Sequence, residues 1–218
     1  MNSALRQIVA PITLPLTVAQ AKAHCRVTTA ADDSYIEQLI RVAVNYAEDR
    51  TGTAIGRQTW EMHLSEFHVS PYAYAHEYGH TYAYSHTHSA ITIPKPPLID
   101  VLSIQYKPPG LGYSILATTE YVWIDSGTYG EIQLSPNGAW PSIESIWNAV
   151  KITFECGYLS APLPIPEPRL DLPARLRHAL LVMIAEMYDR RADAQDGVPV
   201  RMQGAIDALL RPSRVRIW

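Results

Sequence analysis

Long apolar runs are missing from this chain. No stretch approaches the roughly 18 uninterrupted apolar residues that a membrane-crossing helix needs. Residues 1–16 hold a single Arg and no signal-peptide core, so the chain is expected to be made and assembled in a cytoplasm. Charge is also scarce: 18% of the 218 residues are charged and the net charge is −3. That balance excludes the broad basic field which tight nucleic-acid binding displays. The two cysteines, Cys25 and Cys156, are too far apart for metal or redox spacing and read as buried, reduced thiols. There is no G-x-S-x-G, no phosphate-binding glycine loop and no paired carboxylates in a recognisable context.

Apolar residues, by contrast, make up 47% of the chain, enough for one large domain or two small ones. Thirteen Tyr and five Trp in a chain of low charge point to surfaces that meet other proteins.

The order of patterns is helix, strand, helix. Thr17-Val18-Ala19-Gln20 has the form of a capping box and opens a short helix ending near Cys25. Asp32, Asp33 and Ser34 suit a second helix start, with Glu37 placed to complete a box with Ser34. Ile36, Leu39, Ile40, Ala43, Val44 and Ala47 then form one helical stripe, and Gly52 supplies a stop. From Thr59 the period becomes two: Trp60, Met62 and Leu64, then Ile91 and Ile93, Val101 to Tyr106, Tyr121 to Ile124, Glu131 to Leu134, and Val150 to Cys156. Proline and glycine clusters separate these runs, as in a small antiparallel sandwich or barrel. Alternating prolines between Gly157 and Pro173 predict a stiff, extended connector. Leu176 to Tyr188 is apolar almost all round, the pattern of a bundle's central helix. A last short helix, about Met202 to Leu210, stops before Pro212.

The predicted fold class is therefore α+β. Residues 1–54 and 162–210 form a discontinuous helical domain, 55–161 an inserted antiparallel β-rich domain, 70–90 a Tyr/His-rich arm, and 211–218 a C-terminal tail.

In the arm, His76-Glu77-Tyr78-Gly79-His80 matches the H-E-x-x-H zinc-hydrolase signature, and His86 falls at the spacing of a third ligand. That chemistry needs His76 and His80 one helical turn apart with Glu77 as general base. Gly79 weakens such a helix, and the longer signature expects Gly where this chain has Ala83. The flanks show a different period: Tyr72, Tyr74, His76, Tyr78, His80, Tyr82, Tyr84, His86 and His88 all occupy even positions, with small or polar residues between them. Strict period two belongs to an extended chain with one ring-bearing face. The arm is expected to contact protein, with no catalytic role, metal or cofactor. In the tail, Val215 and Ile217 alternate with Arg214 and Arg216, and Trp218 closes the chain.

The succession of Leu16 to Val27, Asp32-Asp33, Tyr46 to Gly52, Gln58-Thr59-Trp60, Pro96-Pro97-Leu98 with Val101 and Ile104, Asn148 to Phe154 with Gly157-Tyr158, and Ala208-Leu209-Leu210-Arg211-Pro212 resembles the head-to-tail connector (adaptor, or head-completion) proteins of tailed bacteriophages and gene transfer agents. It is most similar to the branch with an inserted β domain. Ser70 to Ala90 departs from that pattern. The resemblance implies a structural protein of the virion neck, not an enzyme. It implies a homo-oligomeric ring, a dodecamer, docked under the portal protein, with a stopper or tail terminator on the tail side. Double-stranded DNA would be retained and pass through the lumen, and the net charge argues against tight binding of it. By the same resemblance the tail residues Arg211, Arg214, Val215, Arg216, Ile217 and Trp218 engage the portal. A zinc-dependent hydrolase is the runner-up, and a monomeric carbohydrate- or peptide-binding β module a third reading.

Overall fold

The computed structural model describes residues 4–67, 90–136, 138–158, 171–191 and 200–215, with side chains from residue 204 onward in the last segment. Among these residues the chain is α+β, with four helices and eight strands. It divides into a helical unit, residues 10–58 and 156–215, and a β unit made by the N-terminal strand and residues 59–155.

In the helical unit, α1 (Val18–Cys25) starts with the expected capping box. The Thr17 hydroxyl accepts the Gln20 N–H at 3.1 Å and the Gln20 side chain accepts the Thr17 N–H at 2.9 Å. α2 (Asp33–Thr51) buries the whole predicted stripe from Ile36 to Ala47. Its expected Ser34–Glu37 box does not form. Ile36 N–H bonds back to the Asp32 carbonyl, which places Ser34 inside the first turn and makes Asp32 the capping position. Glu37 reaches forward to Arg41 at 2.8 Å instead. α3 (Ala174–Asp189) packs against α1, α2 and α4 (Val200–Leu210), the central place its apolar composition predicts. One cluster results, including Leu16, Ile36, Ile40, Ile55, Leu176, Leu180, Ile184 and Leu210.

The β unit holds two sheets. In the larger, β1 (Ala4–Val9), β2 (Gln58–Leu64), β8 (Val150–Cys156), β4 (Leu98–Tyr106) and β5 (Ser114–Ile115) lie in that order. In the smaller, the order is β3 (Ile91–Ile93), β7 (Gly130–Leu134) and β6 (Tyr121–Asp125). The pairs β1/β2, β4/β5, β3/β7 and β6/β7 are antiparallel. Alternation decides what is inside: Val150, Ile152, Phe154 and Cys156 are buried while the residues between them are half-buried.

Two unit boundaries differ from those read in the sequence. Residues 4–9 form a strand paired with β2, so they join the β unit and not the helical one. All six are exposed, so no periodic burial marks this strand. The helical unit also resumes at Cys156, because Tyr158 N–H bonds the Ile55 carbonyl at 3.3 Å. Cys156 is buried as expected, whereas Cys25 is half-buried; both are free thiols.

Candidate docking surface

The C-terminal segment is built on the end of α2. Gly52, at φ 74°, ends that helix by donating its N–H to the Glu48 carbonyl at 2.8 Å. After α4, Pro212 lies in a single 3-10 turn, Arg211–Ser213, closed by the Arg214 N–H on the Arg211 carbonyl. The chain then returns to α2: Val215 N–H donates to the Thr51 carbonyl at 2.7 Å, satisfying one of the helix's terminal acceptors. A Cβ on Gly52 would lie 3.5 Å from Val215 Cβ, so Val215 covers the glycine stop. Asp207 adds a charged tie, receiving Arg50 at 2.7 Å and Arg214 at 3.4 Å.

The loop after α2 is held by Glu48, whose Oε1 accepts Ile55 N–H at 2.6 Å, Gly56 N–H at 3.4 Å and Gln58 Nε2 at 2.9 Å. Gly157, at φ 115°, passes so close to Gly56 that a Cβ would run into the Gly56 carbonyl. At the other end of α2, Asp32 accepts the Tyr188 hydroxyl at 2.6 Å and Arg191 Nη1 at 3.0 Å, tying the start of α2 to the end of α3. The Tyr188 hydroxyl, and after it Arg191, hold the Asp32 carboxyl below its ordinary pKa; the same bond pushes the Tyr188 phenol up.

Arg211 and Arg214 are exposed and Val215 is half-buried. Val215 is therefore engaged by its own chain, although the sequence offered it as free for a partner. Arg216, Ile217 and Trp218 lie outside the described residues, as do all nine arm residues, Tyr72, Tyr74, His76, Tyr78, His80, Tyr82, Tyr84, His86 and His88, and Glu77. Among the described residues no group of three or more His, Cys, Asp or Glu side chains could hold a metal ion, and no helix is long and apolar enough to cross a membrane.

Sequence reasoning missed the Asp32–Tyr188–Arg191 and Glu48 ties. Asp32 and Tyr188 are 156 positions apart, and no local spacing signals such a pairing. It also missed an apolar edge. Among the described residues β6 pairs with β7 alone, with Val122 facing Gln133 and Ile124 facing Glu131. Val122 and Ile124 are 50% and 52% exposed, while Tyr121 on the opposite face is buried.

No curated protein matches the chain. Residues 15–88 match the family model described as phage gp6-like head-tail connector protein. Solved structures match along the whole length. A chain from the neck of an empty GTA particle, computed with C6 symmetry, aligns at 18% identity and TM-score 0.71, covering 99% of this chain and 97% of that one. A chain from the virion of a native gene transfer agent particle aligns at 20% and 0.70, covering 98% and 97%. A chain from the neck of a native GTA particle, computed with C12 symmetry, aligns at 20% and 0.66, covering 99% and 97%. The resemblance read from the sequence is thus borne out: the chain is similar to the gp6-like head-tail connector proteins over residues 15–88 and has the fold of these gene-transfer-agent particle chains throughout.

Proposed function

We propose that this protein is a structural component of a virion neck, a ring-forming head-tail connector with no catalytic role. The observation that carries this reading is the whole-length fold match to chains of particle necks, in which the inserted β unit is matched along with the helices. Twelve copies are compatible with both symmetries under which those necks were computed. The ring sits between the portal and a tail-side stopper or terminator, and packaged DNA passes through its lumen. A chain of net charge −3 passes DNA without holding it, because firm phosphate binding needs clustered Lys and Arg.

The C-terminal tail anchors the ring to the portal. Supporting this, the Val215 N–H is tied to the Thr51 carbonyl and Arg211 and Arg214 are exposed, so the described part of the tail offers charge to a partner. The arginines steer the tail to acidic portal surface and the apolar pair supplies burial there. Deleting residues 216–218 tests this. The expected outcome is a folded protein and DNA-filled heads that leak or lack tails. Infectious or transfer-competent particles at the normal yield would place the anchor elsewhere.

A further inference from the structure

The two sheets of the β unit end in four edges, and among the described residues two of these are long. β5 and β3 have two and three residues, too short to offer a ladder, whereas β1 has six and β6 has five. Neither long edge carries proline or lysine, and the one bulge of β1 lies between Gln7 and Val9, leaving residues 4–7 in regular register. β1 also buries nothing: all six of its residues are exposed, Leu5, Ile8 and Val9 at 37%, 47% and 44%. Fixing a residue's backbone costs about 1–2 kcal/mol. One ladder with β2 and no buried side chain offsets little of that, so β1 is a strand that a further contact would complete.

The two long edges match in their side chains. Alternation puts Leu5 on the face of Met62 and Arg6 on the face of Glu61, their partners across β2. On β6 it puts Val122 and Ile124 on the exposed face and Tyr121, Trp123 and Asp125 on the other. Arg6 is the one charged residue of β1 and Asp125 the one charged residue of β6, and their signs are opposite. Among the described residues Arg6 has no ion-pair partner: Glu61, opposite it on β2, takes His63 at 2.8 Å and Lys151 at 3.8 Å. When β1 lies beside β6 with Arg6 on the Asp125 face, Leu5 falls on the face of Val122 and Ile124, whichever way the strands run. Charge and apolar surface are matched by the same placement, and aliphatic cross-strand neighbours of this kind are favourable.

We propose that β1 of one copy pairs along β6 of a second copy, joining the larger sheet of one to the smaller sheet of the other. Backbone hydrogen bonds supply the attachment and the matched side chains set its orientation. Two different edges meet, so the contact is heterologous; a contact of that kind propagates head to tail and closes into a ring when the rotation allows. The proposal deepens the ring reading above and rests on it.

Cysteine pairs in assembled particles test it. In a Cys25→Ser background, with the buried Cys156 left in place, the chain carries Leu5→Cys together with Val122→Cys or Ile124→Cys. Oxidation is expected to give, for at least one pair, a ladder of covalent oligomers that runs past the dimer, while chains with only one of the new cysteines give none. Val122→Lys with Ile124→Lys falls on a face that is already half exposed; it is expected to leave Tm unchanged and to remove the ring from particles. Rings at the normal yield in that variant would overturn the proposal. Covalent dimers from a chain with one new cysteine would show two like edges meeting and overturn it, as would a crosslink confined within one copy. Rings imaged in the neck with no crosslink of any kind would overturn the proposal and leave the ring reading standing. Particles that hold this chain only as isolated copies would overturn both.

Discussion

Asp32, Glu48 and Gly157 each fix a backbone course that no neighbour in sequence could fix. Asp32 is held below the ordinary carboxylate value of 3.8 by the Tyr188 hydroxyl and then by Arg191. Its contribution to stability is present above the unfolded-state pKa, about 3.9, and is lost as pH falls through the lower folded value. Asp32→Asn is therefore expected to lower Tm at neutral pH, with the gap to the parent closing below about pH 4 in a pH series of melts. Glu48 satisfies three donors at once. Glu48→Ala strands part-buried N–H groups and should cost on the order of 1–3 kcal/mol in urea unfolding, whereas Glu48→Gln keeps an acceptor and should cost less. Gly157→Ala meets both a left-handed φ and the Gly56 carbonyl, so a loss of more than about 1 kcal/mol is expected in the same measurement.

At the scale of elements, the end of α2 and the C-terminal segment are one construction. Val215 caps the Thr51 carbonyl and covers Gly52, while Asp207 draws in Arg50 and Arg214. Two truncations should therefore behave differently. Removing residues 213–218 takes away the cap and should lower Tm; removing only 216–218 should leave Tm unchanged and affect assembly alone. Equal losses of stability from both would place residues 216–218 in the core. Asp207→Ala should matter little, within about 1 kcal/mol, since its ion pairs are largely solvent-screened. The helices and six of the strands were legible because burial repeats every 3.6 or 2 residues along Ile36–Ala47, Leu176–Ile184 and Val150–Cys156. β1 and β5 were not. β1 is exposed on both faces and β5 has two residues, so neither carries a period. The tie of Val215 to α2 was not legible either, because it is a backbone bond that leaves no pattern in side chains.

At the scale of the whole molecule, the α+β succession and the insertion of strands between helices were legible, because the change of period coincides with the change of unit near Thr59. The tail end and the Tyr/His segment were legible as alternation only, and alternation does not name a partner. The central claim is that copies of this chain form a ring in a neck. An electron cryomicroscopy image of the particle neck, with this chain carrying a small inserted tag after Gly127 in the exposed turn between β6 and β7, tests it most directly. The account predicts twelve tag densities in one ring immediately below the portal. Tag density on the tail tube or capsid shell, or particles with complete necks and no tag, would contradict it.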